Sequence, residues 1–336
     1  MAAPRDRERK VGDHPLVAIL GPTAAGKSEL ALVLAEHLNG EVVNYDSVQL
    51  YRGFDVGSGK LPPAERRGVV HHLLDCLEPA EVFTAGDYRR EALKILADLR
   101  RRGKLPIFVG GTGLYLRALL MGLFEGPVRS QALRDRLRAL VERRGREFLH
   151  RVLARLDAAA AARIQPRDTQ KLIRAVEVCI LAKQPLSALQ ARGRLGLEGY
   201  RAIKIGLNPS RDRLYDRINR RVERMFAAGL REETQTLLHF PDAARIKSLG
   251  ALGYRQARAV LEGTTSCADA VKATQAATRH YAKRQLTWFR READVVWFEG
   301  FGDDPHVQSR IMETLGRTPM TAGEEVLASP SVMPLR

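Results

Sequence analysis

Cysteine, aromatic residues and long apolar runs are all scarce in this sequence. Cys76, Cys179 and Cys267 are its only cysteines, far apart among 336 residues and with no CxxC pair. An odd number at that spacing excludes a disulfide framework and a thiolate zinc site, and suits a reducing compartment. No window reaches the roughly 20 apolar residues that span a bilayer. Residues 1–14 are polar and lack the apolar core of a secretory signal. A soluble, cytoplasmic protein with no membrane partner is expected. Acid is scarce relative to base, 39 residues against 55, for a net charge of +16. Solvated arginine faces account for such an excess as well, but it also favours a polyanionic partner, because each neutralised phosphate releases a condensed counterion.

What is present is an alternation. Residues 16–20 (LVAIL) form a short, wholly apolar run that stops at glycine, as a strand buried on both faces does. Residues 28–38 then carry Leu30, Val33, Leu34 and Leu38 at helical spacing. Further strands are expected at 41–45, 105–109, 202–207 and 294–298, with helical patterns such as 88–101 between them. Strands alternating with helices predict an α/β fold, a parallel sheet flanked by helices. The stretch 130–189 has no convincing strand and reads as a helical insertion. The expected organisation is a core in two parts, 1–120 and 195–302, an insertion at 121–194, and a loosely ordered tail at 303–336. No internal repeat is evident.

Gly21-Pro22-Thr23-Ala24-Ala25-Gly26-Lys27-Ser28 fits GxxxxGK[ST] between an apolar strand and a helix. Glycines at that spacing let backbone amides converge on phosphate oxygens at a helix N-terminus. Lys27 adds a positive charge, and the Ser28 hydroxyl is a ligand for Mg2+; the bland reading is a glycine-rich turn. The usual hydrolytic companion, a strand ending in an acid, is missing after 105–109, where Gly110-Gly111-Thr112-Gly113 follows. The second strand instead ends at Asp46, whose loop should open beside the P-loop. A carboxylate there suits a general base, a magnesium ligand or a helix cap. His71 and His72 invite a metal reading, but adjacent strand residues face opposite ways and no further ligands stand at metal-like spacing.

Near the C-terminus, Ala282, Leu286, Phe289 and Ala293 make one apolar helical stripe. Arg279, Lys283, Thr287 and Arg290 lie on an adjacent stripe, widened by Arg284 and Arg291. Trp288 suits stacking on a base, but beside such a stripe it is expected in the core.

Several blocks together resemble the bacterial-type tRNA dimethylallyltransferases. They are the P-loop, Asp46-Ser-Val-Gln-Leu-Tyr51, Val56-Gly-Ser-Gly-Lys60, Glu81-Val-Phe-Thr-Ala-Gly-Asp-Tyr88 and Gly110-Gly-Thr-Gly-Leu-Tyr115. Asp168-Thr-Gln-Lys-Leu-Ile-Arg-Ala-Val-Glu177, Gly253-Tyr254 and Tyr281-Ala-Lys-Arg-Gln-Leu-Thr-Trp-Phe-Arg290 continue the match in order. The resemblance implies transfer of a dimethylallyl group from dimethylallyl diphosphate to the N6 amine of an adenosine adjacent to the anticodon, releasing diphosphate. The P-loop, residues Gly21, Pro22, Thr23, Ala24, Ala25, Gly26, Lys27 and Ser28, then grips the donor diphosphate rather than ATP, with Mg2+ as cofactor. Asp46 is implied as general base, Thr23 as its partner and Arg217 as a further diphosphate clamp.

Contact with the tRNA anticodon stem-loop is implied for Asp46, Ser47, Val48, Gln49 and Thr112, and for Gln170, Lys171, Leu172, Ile173 and Arg174. Gly253, Tyr254 and Arg255 join them, as do Lys283, Arg284, Gln285, Thr287, Trp288 and Arg290. A monomer with no obligate protein partner is implied. Val56-Gly57-Ser58-Gly59-Lys60-Leu61 departs from the family's usual isoleucine-glycine-threonine-alanine-lysine-proline, and Gln165 and Arg167 stand where His and Asn are common. A P-loop kinase of a nucleoside or small metabolite is the competing reading, and an RNA-binding protein with a vestigial P-loop the third.

Overall fold

A computed structural model describes residues 14–317. The readings made for residues 1–13 and 318–336 lie outside them. In chain order the first elements are β1 (His14–Leu20), α1 (Lys27–His37), β2 (Gly40–Asn44), β3 (His71–His72), α2 (Ala85–Arg101), β4 (Leu105–Val109) and α3 (Gly113–Met121). A run of helices follows: α4 (Gln131–Arg144), α5 (Arg146–Leu156), α6 (Ala158–Arg163), α7 (Thr169–Ala182) and α8 (Leu186–Ala191). Then come β5 (Tyr200–Leu207), α9 (Arg211–Ala227), α10 (Leu230–Leu238), α11 (Tyr254–Leu261), α12 (Cys267–Phe289), β6 (Val295–Phe298) and α13 (Pro305–Gly316).

The six strands form one parallel sheet in the order β3-β2-β4-β1-β5-β6. β1 is central, and its residues 16–20 have no exposed surface. An unbroken apolar run is what a strand covered on both faces requires. α2 shows how a flanking helix is specified. Thr84 and Asp87 close a capping box at its start, and Tyr88, Ala92, Leu96 and Leu99 make the buried stripe. Because neighbouring strands run the same way, the loops after β1, β2, β4 and β5 open at one edge of the sheet.

Two expectations are corrected here. A sixth strand exists at His71–His72, two residues that no apolar run announces. Those histidines serve the sheet: His72 Nε2 meets Glu41 at 2.7 Å, and His71 Nδ1 lies 2.8 Å from the Val69 carbonyl. The tail is also not loose from residue 303. α13 begins at a cap in which Asp304 accepts the His306 N–H. Val307, Ile311 and Leu315 then join the core built by Val17, Ile19, Leu30 and Leu34. Their i, i+4, i+8 spacing was the signal for this helix.

Residues 121–197 cluster as a second compact unit. Its core is formed by Leu137, Leu149, Leu153, Leu172, Val176 and Leu186, among others. Inside it Glu177 is wholly buried and is held by Arg134 at 3.0 Å, Arg174 at 2.8 Å and the Ser130 N–H at 2.8 Å. A buried carboxylate requires that degree of pairing. Among the described residues, no helix is long and apolar enough to cross a membrane.

Candidate active site

The P-loop bends where its glycines stand. Gly26 caps α1 in the left-handed region at φ 81°, and a Cβ there would meet Gly302 and Asp303, which pack against the loop. Lys27 folds its ammonium back onto the carbonyls of Gly21 and Pro22, at 3.0 and 2.7 Å. Crowding by protein and the neighbouring Arg221 pull its pKa down to about 7, with Asp46 opposing. A polyphosphate would reverse that shift, since an opposite charge favours the ammonium. Ser28 sits exposed on the first turn of α1.

Thr23 is fixed from two sides. Its N–H donates to Gln285 Oε1 at 2.7 Å, and its hydroxyl accepts from Arg221 Nη1 at 3.2 Å. Gln285 Nε2 donates to the Gly111 carbonyl at 3.1 Å, so one α12 side chain joins the loops after β1 and β4. A Cβ on Gly111 would reach Gln285 Nε2 at 2.5 Å and Asp46 Oδ2 at 3.1 Å, so a larger residue here would push both side chains from these positions. Tyr281, one turn before Gln285, also reaches toward the Gly111 carbonyl, at 3.5 Å. Burial first, and then Asp46, push its phenol well above the usual range.

Asp46 does not cap a helix, since residues 47–50 form a turn. Its Oδ1 accepts the Val48 N–H at 2.9 Å, and its Oδ2 faces the Gly111 side. Thr112 steadies the same turn by accepting the Ser47 N–H at 3.0 Å, and Gln49 donates to the Ser58 carbonyl at 3.3 Å. Thr23, Lys27, Asp46 and Arg221 therefore surround one crevice at the strand ends.

Arg221, not Arg217, is the α9 residue placed against Thr23. Arg217, one turn earlier, pairs with Asp303 through two 2.7 Å contacts and lies 4.8 Å over the Phe301 ring. The i, i+4 relation of the two arginines was the available signal. Other expected contact residues divide by burial. Lys283, Arg284 and Thr287 are exposed on α12 and Arg290 at its C-terminal cap, whereas Gln285 is buried in the network just described. Trp288 is not in the core: it is 37% exposed, with Arg117 4.7 Å over its ring. Ala293, expected in the apolar stripe, is exposed beyond the helix end.

In the second unit, Gln170 and Lys171 are exposed, while Leu172 and Ile173 belong to the core and offer no side chain to a ligand. Arg174 is held by Glu177 and the Pro127 carbonyl. In the first unit, Gly253 turns the chain at φ 88°, Tyr254 is fully buried and Arg255 is exposed.

The profile of the IPP transferase family matches residues 49–292. A tRNA dimethylallyltransferase of Solibacter usitatus is 51% identical over 90% of this chain and 98% of its own length. Another, from Koribacter versatilis, is 52% identical over 91% of this chain and 99% of its own. Among solved structures, the tRNA isopentenylpyrophosphate transferase of Bacillus halodurans is 39% identical, covers 90% of this chain and 95% of its own, and superposes with a TM-score of 0.65. With a P-loop-type sheet, Lys27, Arg221 and Asp46 gathered at its strand ends and likeness along nearly its whole length, the chain belongs to the IPP transferase family, alongside the tRNA dimethylallyltransferases.

Proposed function

We propose that the chain transfers a dimethylallyl group from dimethylallyl diphosphate to the N6 amine of an adenosine adjacent to the anticodon of a tRNA, in the cytoplasm. The convergence of Lys27, Arg221 and Asp46 on one crevice carries this reading. The new bond joins N6 to the donor's allylic C1, while the C1–O bond breaks and its electron pair leaves with the diphosphate. P-loop amides, Lys27 and Arg221 hold that leaving charge, the electrostatic assistance such a departure needs. Asp46 takes the proton that the amine loses as its lone pair engages carbon. Because these groups lie around Thr23, donor and acceptor meet in a fixed orientation.

Magnesium fits the residues present. Ser28 offers an exposed hard oxygen in the first turn of α1, and this ion needs few protein ligands when phosphate supplies others. It would neutralise charge on the departing diphosphate. Exposed Lys283 and Arg284 on α12, with Arg290 at its C-terminal cap, suit the tRNA backbone, which carries no sequence information but sets register. A base modified at its exocyclic amine must leave its stack, a cost of a few kcal/mol that is lower in a loop. Incubation with labelled dimethylallyl diphosphate and bulk tRNA tests the proposal. Label should enter RNA at an adenosine beside the anticodon, and transfer of phosphate from ATP without prenylation would refute it.

A further inference from the structure

Three consecutive backbone N–H groups converge on one carboxylate outside the crevice. Glu233, in the first turn of α10, accepts from Val56 at 2.7 Å and from Asp55 at 3.1 Å on Oε2, and from Gly57 at 3.1 Å on Oε1. A run of amides of this kind is a ready anion nest, and its occupant here is the protein's own side chain. Tyr254 completes the grip by donating its hydroxyl to Glu233 Oε1 at 2.6 Å. Burial and Glu233 hold that phenol well above its usual range, so it stays a donor. Gly57 leaves the space this packing needs: a Cβ there would come within 2.5 Å of the Tyr254 ring.

The segment that Glu233 grips leads directly to the crevice. The next carbonyl, Ser58, accepts Arg221 Nη2 at 3.4 Å, while Arg221 Nη1 holds Thr23. Gly59 follows at φ 61°, and a Cβ there would overlap Arg221 Nη2. Beyond it, Lys60 anchors the far end of the segment on the Tyr51 carbonyl at 2.9 Å, on Asp55 at 2.6 Å and on Asp75. Between that anchor and β2, Glu233 holds the middle.

We propose that Glu233 is a positioning residue for the donor diphosphate: it locks residues 55–57 in the turn that sets Arg221 against Thr23. It touches no substrate and acts through Ser58 and Arg221. The proposal rests on the reading of the crevice as the donor site.

The test measures dimethylallyl diphosphate and tRNA affinities separately, by calorimetry and filter binding, for the full chain and for Arg221→Ala, Glu233→Ala, Glu233→Gln and the double alanine variant. Arg221→Ala and Glu233→Ala should each weaken donor binding about ten- to a hundredfold, the span of one lost charge-assisted hydrogen bond. tRNA affinity should hardly move. The double variant should bind donor no worse than Arg221→Ala, because residues in one network do not add. Glu233→Gln, which keeps an acceptor oxygen, should recover part of the loss. Additive losses, or equal loss of donor and tRNA affinity, overturn the positioning role. Normal donor binding by Arg221→Ala overturns the donor reading of the crevice and this proposal with it. A loss in Arg221→Ala with none in the Glu233 variants overturns the positioning role alone. If Glu233→Ala does not fold, Glu233→Gln and Tyr254→Phe carry the same comparison.

Discussion

Gln285 Oε1 accepts the Thr23 backbone N–H at 2.7 Å, joining residues 262 positions apart in the chain. The same amide donates to Gly111, so a single buried side chain of α12 sets the spacing between the P-loop and the loop beside Asp46. A helix whose outer face is basic thus has an inner face that assembles the crevice. Disturbance at one face should be separable from disturbance at the other.

Gln285→Leu should be costly in stability. It fills similar space but leaves the Thr23 N–H without a partner, at about 1–3 kcal/mol for such a buried group, and the Gly111 carbonyl with only the longer 3.5 Å contact from Tyr281. Gln285→Glu keeps the acceptor for Thr23 and sets a carboxylate against the Gly111 carbonyl, so it should fall between wild type and Leu. Urea unfolding measures both. A change within about 0.5 kcal/mol, the range of ordinary surface substitutions, would contradict the bridging role.

Lys27 should couple donor binding to pH. Its folded pKa is about 7 against an ordinary 10.5, so between those values the unfolded chain binds more protons than the folded one. Stability of the free enzyme should therefore rise as pH rises through that window, and the full cost of burying the ammonium should be present below it. Diphosphate restores the ammonium, so binding at pH 8 should take up protons and weaken as pH increases further. Calorimetry of pyrophosphate in two buffers of different ionisation enthalpy reads the uptake. Lys27→Ala should abolish it and weaken donor binding strongly, while tRNA binding stays nearly intact. Equal loss of both affinities would count against separate subsites.

The parts of this fold that depend on local pattern were legible in the sequence. The apolar run 16–20, the glycine spacing around Lys27 and the alternation of elements specify the central strand, the P-loop and the parallel sheet. Contacts made across long sequence separations were not. Nothing local to Gln285 says that its amide will meet Thr23, and the polar residue simply interrupts an apolar stripe. Arg221 and Arg217 are chemically identical and one turn apart. Only the packing of α9 decides that one faces Thr23 and the other Asp303. α13 was missed because proline and acidic residues at its start read as loop, although they make a cap and a first turn.

The outer face of α12 should reveal itself through salt. Lys283 is exposed there and Arg290 at the helix's C-terminal cap, and each phosphate they neutralise contributes about 0.9 to the slope of log K against log salt on duplex nucleic acid. Lys283→Ala with Arg290→Ala should flatten the slope for tRNA by about two such contributions. Dimethylallyl diphosphate affinity should be unchanged. A slope equal to that of the unaltered protein would place the tRNA on another surface.

Asp46→Asn separates chemistry from scaffolding at the same position. The N6 amine is a poor nucleophile because its lone pair is delocalised into the purine, and removing a proton as the bond forms localises that pair. Base assistance of this kind is worth about 10²–10⁴ in rate. Asparagine retains an oxygen for the Val48 N–H that Asp46 Oδ1 now accepts, so the turn after β2 should persist. What it loses is the ability of the second oxygen, the one facing Gly111, to take a proton. Both substrates should therefore bind near normally while single-turnover transfer slows by about two to four orders of magnitude. If Asp46 served only the turn, the rate would barely change, because asparagine forms such turns equally well. If it served chiefly to hold magnesium, raising the metal concentration would restore much of the activity. A slow variant with normal affinities and no rescue by metal leaves proton transfer as the function of this carboxylate, and near-normal transfer at saturating substrates removes it from that role.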